Sequence, residues 1–260
     1  MPDTGYLFDT ADATETERLG CGEALWDPGT RDRLRALGIG PGAACLEIGA
    51  GRGGLAYWLA GLVGSTGRVT ATDLRTDRLD WLRRHRVEVL AHDIDADEPP
   101  VGYDLVHARL VLPHVADRPA AVARMCRALR PGGLLMLEDA DGAALFRHPD
   151  RDDFCAAVKA AAYEAMTDAG YHPRCGTLDA RLAAGAGLAD VRAAGRAVLV
   201  RGGSTEARWY ALWLARLRPA MLARGRVSGA DVDRALAELA DPGNTWLSQV
   251  MVTVTGRVRR

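Results

Sequence analysis

At 260 residues the chain is long enough for one large domain or two small ones, with a sizeable core. Apolar residues make up 48% and charged residues 26%, with 33 basic against 34 acidic side chains, which excludes long disorder and any field that favours nucleic acid or acidic membranes. No apolar run approaches the roughly 18–20 residues that span a bilayer, and residues 1–16 lack a secretory pattern; the five cysteines (Cys21, Cys45, Cys126, Cys155, Cys175) form no CxxC, so no disulfide framework or metal is expected, and a reducing cytoplasm is.

The first 40 residues hold no strand-like run. Asp27-Pro28-Gly29 reads as a turn, after which Thr30 is placed to cap a short helix carrying Leu34 and Leu37. Ala44–Ile48 is a short apolar run ending at glycines, and Leu55, Trp58, Leu59 and Leu62 then follow one helical face. Gly67–Asp73 predicts a second strand and Asp77–Arg86 a helix with Leu79 and Leu82 inward. Val87–Asp93 and Tyr103–His107 predict the third and fourth strands; Val122, Met125, Cys126 and Leu129 share a helical face, and Leu134–Glu138 predicts the fifth strand. Helices alternating with short apolar strands imply an α/β fold, with a parallel sheet covered by helices on both faces.

Beyond residue 140 the rhythm changes. Asp152–Ala169 predicts a long helix, Val191–Val200 a strand, and Trp209, Leu212, Trp213 and Leu217 a further helix. Ser228 is expected to cap the helix of Val232, Ala235, Leu236 and Leu239, and alternation from Val250 to Thr255 predicts a closing strand. One domain over 1–260 is expected: a helical cap at 1–33, a core at 34–140, and further helices with the last two strands at 141–260.

Gly49, Gly51 and Gly54 satisfy GxGxxG between a strand and a helix. A dinucleotide would place its diphosphate at the helix N-terminus, and Glu47, just before the loop, opposes that anion. S-adenosylmethionine carries an ammonium and a sulfonium instead, which a carboxylate helps. Glu47, Asp73 and Asp93 put carboxylates at the carboxyl ends of three successive strands, the edge where open α/β sheets bind ligands.

With those residues in place, the sequence resembles the class I S-adenosylmethionine-dependent methyltransferases. The stretches that carry the likeness are Cys45–Ala60, Val69–Asp73, Ala91–Ile94, Tyr103–Val115 and Leu129–Asp139, in the family's order. The branch is that of bacterial small-molecule enzymes, including those of secondary metabolism. The resemblance implies a Rossmann-like, seven-stranded, mostly parallel sheet whose last strand is inserted antiparallel, with helical cap additions. It implies that Glu47, Gly49, Ala50, Gly51 and Gly53 line the methionine portion of S-adenosyl-L-methionine, with Asp73 on the ribose and Leu74, Asp93 and Ile94 around the adenine. The resemblance sets Arg109 beside the methionine tail as a contact to its carboxylate, with a surface arginine at a helix start as its plainer reading. No Asn/Asp-Pro-Pro-Tyr/Phe follows the fourth strand, which lowers DNA and amide nitrogens as targets.

The expected activity is methyl transfer to oxygen, nitrogen or carbon of a small organic acceptor. An NAD(P)-dependent oxidoreductase and a non-methylating cyclase or partner protein on the same fold stand as alternatives. His114 is the candidate general base where the acceptor atom must lose a proton; packing against the next helix is its other reading. Tyr163 falls off its helix's apolar stripe, and Glu138 and Asp139 end the fifth strand. The oligomeric state is left open.

Overall fold

Apolar strands alternating with helices build the parallel sheet that the sequence predicts. The computed structural model describes residues 13–259; residues 1–12 of the expected cap lie outside them. The central strands are β1 (Ala44–Ile48), β2 (Arg68–Asp73), β3 (Val87–Ala91), β4 (Tyr103–Arg109) and β5 (Leu129–Asp141), joined by β6 (Ala189–Arg196) and β9 (Val250–Arg257) into one seven-stranded sheet ordered β3-β2-β1-β4-β5-β9-β6. β1 pairs parallel with β2 and β4, β2 with β3, and β4 with β5. Thr253 bonds to Glu138 while Val258 exchanges backbone bonds with Gly132 and Gly133, so β9 runs against β5. This is the expected mostly parallel sheet with a reversed strand inserted before the edge.

Side chains alternate across each strand, so the sheet has two apolar faces. Leu46, Val106, Leu135 and Leu137 face α3 (Arg118–Ala128) and α5 (Asp179–Gly185), while Cys45, Leu105, Leu134 and Met136 face α2 (Gly54–Val63). Leu79 and Leu82 are fully buried as expected, but Asp77–His85 is a 3-10 helix; an i, i+3 apolar pair suits three residues per turn as well as 3.6.

Several boundaries differ from the sequence reading. Asp27-Pro28-Gly29 is no turn: α1 runs unbroken from Ala13 to Ala36. Pro28 forfeits one helical hydrogen bond, yet Trp26, Thr30 and Leu34 are each at most 1% exposed, and that burial keeps the helix whole. Thr30 is therefore a helix-interior residue and caps nothing. Leu129 opens β5 instead of closing α3, and α4 (Ala156–Asp168) starts late because Cys155 adopts φ 51°. The expected strand over 191–200 splits, with β7 (Leu199–Arg201) pairing antiparallel with an unforeseen β8 (Thr245–Leu247) in a separate ribbon. α6 (Thr205–Ala223) and α7 (Gly229–Ala240) form as expected, the latter capped by Ser228 in a reciprocal box with Asp231.

The chain groups into two compact units. Among the described residues, one comprises 27–140, 175–195 and 251–259 and carries the large sheet; the other comprises 13–26, 141–174 and 196–250 and is mainly helical. No described helix is long and apolar enough to cross a membrane.

Candidate functional site

The strand order reverses between β1 and β4, both of which leave their carboxyl ends at the same edge. The glycine loop starts there. Gly49, Gly51 and Gly53 adopt φ of 67°, 61° and 87°, conformations that L side chains rarely take. A Cβ on Gly49 would stand 2.5 Å from Val111 Cγ2, and one on Gly53 2.5 Å from Leu82 Cδ1. The loop is held by Ala50 N donating to Thr72 O at 2.9 Å and Gly51 N donating to Asp73 Oδ2 at 2.8 Å. Asp73 Oδ1 accepts from Arg75 N at 3.0 Å. Burial pushes the Asp73 carboxyl up, against the pull of those backbone N–H groups.

Asp73 ends β2, and Asp93 follows β3 by two residues, its Oδ1 accepting from Asp95 N at 2.9 Å. Leu74 is 48% exposed beside this edge while Ile94 is buried. The predicted row of carboxylates thus forms along β1, β2 and the end of β3.

A second set of charges lies on one face of the sheet. The parallel register sets Glu47 beside His107 and Arg109 beside Glu138, and period-two alternation points all of them toward α1. His107 Nε2 stands 3.4 Å from Glu138 Oε2, and its Nδ1 stands 3.9 Å from Glu47 Oε1. Glu138 Oε2 also accepts from the Thr30 hydroxyl, and Oε1 from Thr253 Oγ1 at 2.8 Å. Burial works to raise the Glu138 carboxyl, but His107, Arg109 and Thr30 outweigh it and hold it down at about 2.

Arg109 is not the surface arginine of the plainer reading. Its side chain is 13% exposed, donating to Asp27 Oδ1 at 2.7 Å and to Thr30 Oγ1 at 3.0 Å. Burial opposes its charge, and the carboxylates of Asp27, Glu138 and Glu47 more than restore it. Sequence reading missed this role of Asp27 and Thr30, because both were assigned to a turn and a cap.

His114 closes the short 3-10 turn Leu112–His114 and is half-buried; Arg118 holds that turn by donating to Leu112 O and Pro113 O at 2.9 and 3.1 Å. On the opposite face of β5 from Glu138, Asp139 meets Asp179 and Cys175, all at most 1% exposed. In the helical unit, Tyr163 packs so closely on Gly142 that a Cβ there would lie 2.3 Å from its hydroxyl oxygen. Burial pushes that phenol well above its ordinary range. Trp213 donates to Met166 Sδ at 3.1 Å, and Trp209 stacks edgewise on Trp26 at 6.4 Å, as packing residues do. A polar cleft of about 580 Å³ opens beside Gly38–Ala43, Asp104, Arg130 and Arg257, and none of the candidate-site residues line it.

The profile of a family described as "methyltransferase domain" matches residues 25–172. Over 113 residues the chain is 34% identical to a ubiquinone/menaquinone biosynthesis C-methyltransferase of Laribacter hongkongensis, which is 40% of this chain and 46% of that protein. Over 124 residues it is 36% identical to an uncharacterized 37.1 kDa protein in a transposon of Streptomyces fradiae, covering 45% and 36% of the two chains. The chain thus spans about half the length, or less, of the curated relatives it matches. Among solved structures, phosphoethanolamine N-methyltransferase 2 of Haemonchus contortus, in complex with phosphomonomethylethanolamine and S-adenosylhomocysteine, superposes with a TM-score of 0.56 at 18% identity, over 90% of this chain and 53% of that one. The YcgJ protein of Bacillus subtilis superposes at 0.56 with 14% identity, over 88% and 97%. These likenesses concern the fold.

Proposed function

The chain belongs to the methyltransferase-domain family, and from that premise we propose that it transfers a methyl group from S-adenosyl-L-methionine to oxygen, nitrogen or carbon of a small organic acceptor. The observation that carries the reading is Glu47, a carboxylate 5% exposed at the penultimate residue of β1, beside the glycine loop. Such a group repels a diphosphate and attracts an ammonium or sulfonium, so the same residue counts against an oxidoreductase using NAD(P).

The residues present suit that cofactor. Gly49, Gly51 and Gly53 give the loop the left-handed turns that present its backbone at the strand edge, and with Glu47 and Ala50 they receive the methionine portion. Asp73, already oriented by two backbone N–H groups, keeps lone pairs for ribose hydroxyls. Leu74, Asp93 and Ile94 frame the adenine; an apolar side chain left 48% exposed at this edge is suited to a flat ring. Arg109 fixes α1 through Asp27 and Thr30, and the reading keeps it at the methionine tail.

When bound, the cofactor supplies an electrophilic methyl group on a sulfonium. The chain's part is to align the acceptor and exclude water. His114, on a turn braced by Arg118, is the group we place as proton acceptor where the acceptor atom must lose hydrogen. One similar protein is named a C-methyltransferase and another an N-methyltransferase, so the acceptor is not set by the family; the reading keeps to a small organic molecule, with secondary metabolites as the first class to screen.

Titration calorimetry with S-adenosylhomocysteine and, separately, NAD⁺ tests the cofactor. Heat with the former alone is the expected result. Binding of NAD⁺ with none of S-adenosylhomocysteine would return the oxidoreductase reading.

A further inference from the structure

The polar cleft of about 580 Å³ lies at the sheet edge opposite the glycine loop. Its walls are Asp104 and Arg130, near the amino ends of β4 and β5, and Arg257, the last residue of the reversed strand β9. Its floor is the connection from α1 to β1, Gly38 to Ala43. At about 3.3 Å per residue, Ala43 and Gly49 stand roughly 20 Å apart along β1, so a molecule in this cleft does not meet the glycine loop.

The charges of the wall favour an anion. Asp104 pairs with Arg130 and also accepts from Ala44 N at 2.9 Å, so that carboxylate is engaged by one guanidinium and one amide. Arg257 donates to a neutral acceptor, Gly132 O, at 3.0 Å, and its guanidinium has further N–H bonds to give. Two arginines against one aspartate leave the wall positive, and a guanidinium fork matches the paired oxygens of a phosphate or carboxylate.

The floor is tied down and bare. Gly42 N donates to Val63 O at 2.9 Å and Ala43 N to Gly40 O at 3.2 Å, while the ring of Pro41 fixes its own φ. Gly38 and Gly42 need glycine for their backbone, at φ of 82° and 83°. Gly40 does not: its φ is not positive, and a Cβ there would meet nothing within 4 Å. Neither strain nor crowding calls for glycine at 40. What the missing side chain gives is open approach to the backbone from the cleft.

We propose that this cleft is a second binding site, for a small organic anion whose phosphate or carboxylate group is held by Arg257 and Arg130 over the open backbone of Gly40. Its volume lies within the range of small-molecule sites, roughly 300–1,000 Å³. The inference goes beyond the methyl-transfer reading and shares no residue with it. A ligand here joins β5, β9 and the α1–β1 connection, so occupancy stabilises the folded chain.

Titration calorimetry and thermal melts at fixed ionic strength, with sodium pyrophosphate and separately with citrate, test the site. Saturable binding of at least one probe, with a rise in Tm, is expected; pyrophosphate alone assigns a phosphorylated ligand and citrate alone a carboxylate. Arg257→Gln is expected to weaken the bound probe about tenfold or more, the scale of a charge-assisted hydrogen bond. Gly40→Val, which fills the floor, is expected to weaken it with the Tm of the ligand-free chain unmoved; this variant decides the matter if Arg257→Gln does not fold. Arg234→Gln removes the same charge from a side chain 72% exposed in α7 and is expected to leave the affinity unchanged. Saturable binding of neither probe overturns the inference, as does an affinity unchanged in both Arg257→Gln and Gly40→Val. An equal loss in Arg257→Gln and Arg234→Gln also overturns it, because that is general surface attraction. Competition by S-adenosylhomocysteine would place the probe at the glycine loop and overturn it too, whereas failure of the chain to bind S-adenosylhomocysteine removes the cofactor reading and leaves this site standing.

Discussion

Asp139 and Asp179 bring two carboxyl groups within 4.8 Å of each other, at 1% and 0% exposure. Two carboxylates this close and this desolvated do not both ionise. Burial, then the neighbouring Asp179 charge, pushes Asp139 well up, and burial pushes Asp179 up to about 7. Cys175, whose thiol faces Asp179 at 3.7 Å and is itself pushed up by burial, adds no positive charge; Glu138 adds repulsion on Asp139, and Arg118 is the cation that opposes it at Asp179.

That pair predicts a pH dependence of stability. The folded chain holds a proton that the unfolded chain releases near its ordinary carboxyl pKa of about 4. Stability from the pair is therefore complete below that range and falls as pH rises toward about 7. Asp139→Asn keeps the shape and removes the titration. Thermal melts from pH 4 to 8 are expected to show a flatter profile in the variant and a higher Tm at pH 8, by about 2–4 °C for each kcal/mol of repulsion removed. A variant with the wild-type slope would show that the two groups do not share a proton.

The Asp27–Arg109 ion pair is buried on both sides, with side chains 4% and 13% exposed. Asp27→Ala strands a desolvated guanidinium, and urea denaturation is expected to read a loss of about 3 kcal/mol. The Glu17–Arg208 pair is its control: both side chains are about half exposed, and Glu17→Ala is expected to leave the midpoint unmoved.

Gly49→Ala puts a Cβ at a left-handed φ of 67° and 2.5 Å from Val111 Cγ2. A cost of about 1–3 kcal/mol in stability is expected from the backbone strain. The binding of S-adenosylhomocysteine is expected to weaken beyond what the fold loses, because Val111 must shift into the loop's neighbourhood. Calorimetry at a temperature where the variant is fully folded separates the two effects.

Glu47→Gln preserves shape and removes the charge. S-adenosylhomocysteine is expected to bind about tenfold more weakly, on the scale of one hydrogen bond to a charged group. An unaltered affinity would remove Glu47 as the feature that distinguishes a cationic ligand from a diphosphate.

Much of the fold was legible because local patterns carry it. Alternation put Leu46, Val106 and Leu135 on one face and Cys45, Leu105 and Leu134 on the other, and Ser228 announced a helix start. Boundaries failed where burial overrode local chemistry. Pro28 and Gly29 read as a turn because each disfavours a helix interior, yet Trp26, Thr30 and Leu34 are packed tightly enough to carry α1 through them. β8 went unseen because a strand of three residues has no period to read.

The sequence by itself determined the order of strand, glycines, helix and strand and set Glu47, Asp73 and Asp93 at or near three strand ends, because these are local features. Only the tertiary structure decided how the charges behind that edge are neutralised. Glu138 meets Thr30, Arg109 meets Asp27, and Asp139 meets Asp179 across long stretches of chain. No window of sequence encodes such meetings, because desolvation and pairing energies exist only after folding has removed the water between the partners.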